Sequence, residues 1–115
     1  MGRRLRLRRG DVRLVELPKP DKRRPALVLT RPSALKFLTR VTIAPITSTI
    51  RDIPSEVVLT EDDGMKKPCA VNLDNLTTIP ERLLGQRLTT LSSSRMGEVC
   101  SALNFALGCD LVPKD

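Results

Sequence analysis

The 115-residue chain contains no histidine, no tryptophan and no tyrosine, and its only aromatic side chains are Phe37 and Phe105. Without histidine it lacks the side chain that most often moves protons near neutral pH, so acid–base or phosphoryl chemistry would fall to guanidinium, hydroxyl and carboxylate groups. The scarcity of aromatics predicts a core of Val, Leu, Ile and Ala, and disfavours base stacking on aromatic platforms as a binding mode. No apolar run approaches the roughly 18 residues of a membrane-spanning helix. Cys69, Cys100 and Cys109 are odd in number and have neither CxxC nor metal-ligand spacing. With no histidine to complete a zinc site, the sequence predicts no metal and no cofactor. The same thiols, and a basic N-terminus without a following apolar stretch, predict a cytoplasmic protein with no secretory signal.

What is abundant is positive charge, and it is concentrated. The net formal charge is +7. Residues 1–24 carry Arg3, Arg4, Arg6, Arg8, Arg9, Arg13, Lys19, Lys22, Arg23 and Arg24 against only Asp11, Glu16 and Asp21, and the rest of the chain is balanced. A polyanion is the natural partner for such a field, because attraction to phosphates needs no sequence recognition. Residues 1–8 read as a basic arm, open between a disordered solvated tail, an RNA-binding arm, an extra strand and an artefact of start-site choice. One domain is expected over residues 9–110, with 111–115 a short tail.

The pattern is mainly β. Asp11–Leu17 alternates as a half-buried strand, PKPDKRRP is a loop, Ala26–Thr30 is a short buried strand and Pro32–Leu38 a helical turn. Val41–Ile46 is β-branched, with Pro45 marking a bulge or sheet edge. Glu56–Thr60, Cys69–Leu73 and Leu76–Ile79 add short strands, and a single turn follows at Glu81–Leu84. Short strands joined by Gly, Pro and Asp-rich turns predict a small barrel or sandwich. Met96, Val99, Cys100, Leu103, Ala106 and Leu107 recur at helical spacing between a Ser92 or Ser93 N-cap and Gly108, so one amphipathic helix of about four turns should close a side of it. Cys100 is expected in the core on that stripe.

Two short stretches stand out chemically. Arg24-Pro25 opens one apolar strand, and Ala44-Pro45-Ile46-Thr47-Ser48 closes another. A guanidinium fork matches phosphate oxygens, and a neighbouring hydroxyl can bond a phosphate or a ribose hydroxyl. Arg24 and Thr47 are therefore the candidate site, with Ser48 a further donor. Asp21 or Glu16 is a conceivable carboxylate base. Lys19, Lys22, Arg23, Arg31 and Arg51 are candidate phosphate contacts. Each of these has an ordinary reading as a solvated loop charge or a strand-end turn residue. Arg9-Gly10-Asp11 spells an adhesion tripeptide, to which a strand start in a reduced protein gives no weight.

RRGDVRLVELP (8–18), RRPALVLTR (23–31), TRVTIAPITSTI (39–50), IPSEVVL (53–59), CAVNLDNLTTIPERLLGQRL (69–88) and the LxxxRMxEVxxAL pattern (91–103) occur in this order. Together they resemble the MazF/PemK family of toxin endoribonucleases. The resemblance implies an SH3-like β-barrel of the MazF/CcdB/Kid type and a homodimer. It implies metal-independent, sequence-specific cleavage of single-stranded RNA, and a cognate antitoxin whose acidic, partly disordered segment covers the RNA-binding surface, with DNA contacted only through that antitoxin. It places the family's catalytic Arg on Arg24 and its Thr on Thr47. Arg13 departs from the pattern, which often has an aromatic residue there. Two other functions remain in view: a CcdB-like gyrase poison, against which the lack of tryptophan and the LVPKD terminus argue, and a non-catalytic RNA-binding barrel.

Overall fold

The computed structural model describes residues 7–16, 23–35, 37 and 39–109. The candidates Lys19, Asp21 and Lys22, most of the basic arm and the short tail lie outside the described residues. Strands β1 (Asp11–Glu16), β2 (Arg23–Val28), β3 (Arg40–Thr47), β4 (Glu56–Leu59), β5 (Cys69–Asn72), β6 (Thr77–Pro80) and β7 (Leu84–Thr90) are accompanied by a short helix α1 (Pro32–Leu35) and a longer α2 (Ser93–Leu107). The sheet order is β4-β5-β3-β2-β1-β7, with β6 also on β3, and the pairings are antiparallel. The result is a curled half-barrel of mainly β structure with one C-terminal helix, as the sequence pattern predicts.

Both faces of the sheet are covered. Val12, Leu27, Ala44, Ile46, Leu59 and Val71 pack with Met96, Val99 and Ala102 of α2, while Val15, Ala26, Val41, Ile43 and Ile79 form a second cluster on the other side. Double coverage explains why β2 reads as a continuous apolar run rather than an alternation. The core is aliphatic, and Phe37 and Phe105 are both exposed. Helix α2 starts where the Ser92 hydroxyl accepts the Arg95 N–H (3.2 Å) and ends at Gly108 in the left-handed region (φ 67°). Such caps satisfy backbone groups that the helix leaves open at each end.

Four expectations need correction. Strand β7 is absent from the sequence reading, because LGQRLTT is polar, mostly exposed and lies at the sheet edge, where little burial marks it as β. Strand β2 starts at Arg23, not Ala26, since Glu16–Arg23 and Val15–Arg24 pair across the β1–β2 ladder. Cys100 is exposed, not a core residue. The buried stripe of α2 runs through Met96, Val99 and Ala102, and one residue beyond Val99 the helix has turned by about 100° toward solvent.

Pro45 lies within β3, not at a sheet edge or a bulge. The Leu29 N–H donates to the Thr42 carbonyl (2.9 Å), so Thr42 and Ala44 direct their backbone toward β2 and Pro45 directs its nitrogen the other way. On that side β6 pairs with Arg40–Ile43 and β5 begins only at Ile46. The residue without an N–H therefore falls in the gap between two neighbouring strands, where no ladder bond is lost.

Candidate active site

The two prolines that frame the candidate site also shape it. By the alternation that points Leu29 at β3, Leu27 and Pro25 do the same. Pro25 has no proton to give, and the bonded β2–β3 ladder stops at Ala26–Pro45. Arg24 and Thr47 each lie two residues beyond that last pair, on neighbouring strands. Pro25 has no N–H to donate to β3, so one of the two ladder bonds that a Pro25–Ile46 pair could make is missing.

Arg24 and Thr47 also share a face. Leu27, Ala44 and Ile46 belong to the cluster under α2, so Arg24, with Ala26, and Thr47, with Ile43, lie on the opposite side. Arg24 is exposed and Thr47 half-buried. The Thr47 Oγ1 accepts the Thr49 N–H at 3.0 Å, which orients the hydroxyl and leaves its proton available to a ligand. Ser48 is exposed beside it. Arg51 is exposed on the loop that follows, whose amides at Arg51 and Asp52 donate to Glu56 Oε1 (3.0 and 3.2 Å).

The remaining candidates divide. Arg23 lies on the face opposite Arg24, in an ion pair with Glu16 (3.4 Å) whose members are both largely exposed. Such pairs are worth only about 0–1 kcal/mol and exchange readily for a phosphate. Glu16 accordingly points away from Arg24 and is not placed to act as a base there. Arg31 is at the other end of β2, with its Nε donating to Ser33 Oγ (3.1 Å). It shares the rim of a separate groove of about 490 Å³ with Arg40, over a floor that includes Leu29, Leu76 and Leu103. The structure does not bring Arg31 to Arg24 and Thr47.

Arg13 lies on the same face as Arg24, since it pairs with Ala26 two positions from the Val15–Arg24 pair. Its charge is already engaged. Nε and Nη2 each lie 3.4 Å from Asp11 Oδ2, and Nη1 donates to the Gly85 carbonyl (3.1 Å). Asp11 is fully buried and also accepts from the Arg8 N–H (3.1 Å) and the Thr90 hydroxyl (2.8 Å). That burial disposes of the adhesion tripeptide, whose carboxylate would have to reach solvent. Sequence reasoning passed over Asp11 and Glu56 as site supports. A carboxylate at the head of an apolar strand, in DVRLV and in EVVL, was the available signal.

Among the described residues no three Cys, Asp or Glu side chains converge in a way that could hold a metal ion. Cys69 is buried, and desolvation, reinforced by the Asp63 carboxylate, pushes its thiol up from the usual range. It is an inert core thiol, not a nucleophile. The chemistry on offer is a permanent cation and a hydroxyl on one face at the end of two neighbouring strands, suited to holding a phosphodiester and stabilising charge that develops on it.

The chain matches, over residues 8–107, the family model described as the PemK-like, MazF-like toxin of type II toxin–antitoxin systems. It is 37% identical over 101 residues to the endoribonuclease MazF3 of Mycobacterium tuberculosis, covering 88% of this chain and 98% of that protein. Its fold superposes on the Mycobacterium tuberculosis toxin MazF-mt6 with a TM-score of 0.78 at 36% identity, covering 90% of this chain and 99% of that one. A mycobacterial endoribonuclease solved in complex with its cognate antitoxin gives a TM-score of 0.81 at 26% identity, covering 96% and 100%. A match spanning nearly the whole domain, at this identity and with this fold, places the chain in the family of PemK-like, MazF-like toxins of type II toxin–antitoxin systems.

Proposed function

We propose that this toxin is an endoribonuclease that cleaves single-stranded RNA, mRNA included, with Arg24 and Thr47 as its catalytic residues. The reading is supported by the β2–β3 ladder, which ends at Ala26–Pro45, two residues short of Arg24 on one strand and of Thr47 on the other, with both residues on one face. The ribose 2′-hydroxyl attacks the adjacent phosphorus, the O2′–P bond forms, the P–O5′ bond breaks, and a 2′,3′-cyclic phosphate and a 5′-hydroxyl result. The 2′ proton leaves to a base and the departing O5′ takes one up. Arg24 stabilises the phosphorane charge; a guanidinium is a poor proton donor, so its role is electrostatic. Thr47 orients a phosphate oxygen or the 2′-hydroxyl, with Ser48 as a second donor. With Glu16 held by Arg23, Asp21 is the remaining carboxylate candidate for the base. Lys19, Lys22 and Arg51 contact phosphates near the scissile bond, and Arg23, on the other face of β2, and Arg31 contact them further along the strand.

The chain acts without a metal or cofactor, in the cytoplasm, as a homodimer, and is neutralised by an antitoxin with an acidic, partly disordered segment. Dimerisation is supported by Phe105 and Leu107, each 60% exposed, which a monomer would leave in water. The positive charge around Arg24 supports an acidic inhibitor segment.

Incubating the purified protein with a long single-stranded RNA in a metal chelator, then mapping cuts and end groups, tests the proposal. Sequence-selective cuts with cyclic-phosphate ends are expected. Arg24→Ala and Thr47→Ala should each lower the rate roughly a hundred- to a thousandfold while leaving the fold intact. RNA that is bound but uncut would instead make the protein a non-catalytic binder, and inhibited gyrase with intact RNA would make it a gyrase poison.

A further inference from the structure

Glu56 is a buried carboxylate that the chemistry above does not use. It opens β4, is 9% exposed, and by strand alternation lies opposite Val57 and Leu59, on the same side of the sheet as Thr47. Its Oε1 accepts two successive backbone amides, Arg51 N–H (3.0 Å) and Asp52 N–H (3.2 Å). Two consecutive N–H groups converging on one point form an anion-binding concavity, and here a side chain of the same chain fills it. Asp52 is held in the left-handed region (φ 58°), the only non-glycine residue with positive φ among the described residues. The turn is closed by the Glu56 N–H on the Ile53 carbonyl (2.9 Å). Glu56 Oε2 is buried and has no hydrogen-bond partner among the described residues. A buried oxygen left unpaired is a cost to the fold, set against the two amide hydrogen bonds that Oε1 accepts.

We infer that Glu56 is a positioning residue: by clamping the Arg51 and Asp52 amides it fixes the loop after Thr47 and so holds the Arg51 guanidinium where RNA crosses the site. The inference rests on the proposal that Arg51 contacts a phosphate. It requires reach more than charge. Shortening the side chain by one methylene withdraws the oxygen by about 1.5 Å, beyond hydrogen-bond distance of either amide. A glutamine keeps both the reach and an acceptor oxygen.

The test compares Glu56→Asp, which keeps the charge and loses reach, with Glu56→Gln, which does the reverse. Amide hydrogen exchange at Arg51 and Asp52 is read alongside RNA binding over a range of salt. The probe is a 2′-O-methyl single strand, which lacks the attacking hydroxyl. In Glu56→Asp, exchange at those two amides should rise at least roughly tenfold while core amides stay protected. The slope of log affinity against log salt should fall by about 0.7, the change for one lost phosphate contact, and should match that of Arg51→Ala. Glu56→Gln should stay near wild type in both readouts. Unchanged exchange in Glu56→Asp, or Glu56→Gln impaired as much as Glu56→Asp, overturns the inference. A normal salt slope in Arg51→Ala would remove the RNA contact itself, and exchange would still decide whether Glu56 clamps the loop.

Discussion

Replacing Asp11 by alanine should be among the most damaging single changes in this protein. The carboxylate is fully buried, and its partners come from three places: the Arg8 amide before β1, the Arg13 guanidinium in β1 and the Thr90 hydroxyl at the end of β7. Deleting it leaves the Arg13 side chain, only 16% exposed, with a buried positive charge whose anion has gone. Breaking a buried pair from one side costs about 3–5 kcal/mol, and the lost hydrogen bonds from Arg8 and Thr90 fall within that figure. The Gly85 carbonyl still accepts from Arg13, which argues for the lower half of the range. For a domain of this size, 3–4 kcal/mol lowers the melting temperature by roughly 10–20 °C. Thermal denaturation by circular dichroism, with both proteins at one concentration because association shifts the midpoint, measures the change. Asp11→Asn, which preserves shape and one acceptor, should lose less. An Asp11→Ala protein melting within about 3 °C of wild type would refute the claim that the Asp11–Arg13 pair ties β7 to β1.

Gly64→Ala should destabilise by about 1–3 kcal/mol, because Gly64 has φ 93° and an added Cβ would clash with the Thr89 hydroxyl; chemical denaturation reads this directly. Under native conditions an alkylating reagent should label Cys100 and Cys109 and spare Cys69, which mass spectrometry of the intact protein and its peptides will resolve. Cys69 also gives a pH dependence. Its thiol is raised in the folded state, so the unfolded chain releases that proton first, and this contribution to stability, present below the ordinary thiol range, is lost as pH rises through the folded value. Wild type should therefore lose stability faster than Cys69→Ala above about pH 9, as urea titrations at several pH values would show.

The sequence makes the strands and the helix legible wherever burial and period agree. β1, β3, β4 and α2 are legible because their buried positions, on one face or on both, must be apolar, and the caps at Ser92 and Gly108 follow from backbone groups that a helix always leaves open. β7 was not readable, because an edge strand held mainly by pairing with β1 carries almost no hydrophobic signal. Cys100 was misplaced for the opposite reason: its residue type suits the core, and only the packed orientation of α2 shows that it lies outside. Arg24 and Thr47 could be picked out as residue types, but their juxtaposition is a matter of register. That register is set by the Leu27–Ala44 and Val28–Ile43 pairs between distant segments, which no local pattern reveals. The sequence marks Glu56 only as the first residue of a strand, and its role lies in the Arg51 and Asp52 amides it accepts.

The absence of histidine leads to the last prediction. A guanidinium and two hydroxyls do not titrate between pH 5.5 and 8, and unperturbed carboxylates ionise near pH 4. A second copy of the chain in a homodimer would bring no histidine either, since the sequence contains none. At saturating RNA, the log of the cleavage rate should therefore show no ionisation step between about pH 5.5 and 7.5. Single-turnover rates measured across that window, with chelator present and ionic strength held constant, provide the comparison. A bell-shaped profile centred near neutrality would require a group with a strongly displaced pKa. Asp21 in place of an unperturbed base would then be the first residue to replace, and Asp21→Asn should abolish the acidic limb. A flat profile with activity retained in Asp21→Asn would mean that the rate depends on how Arg24 and Thr47 hold the phosphate, and not on a titrating side chain.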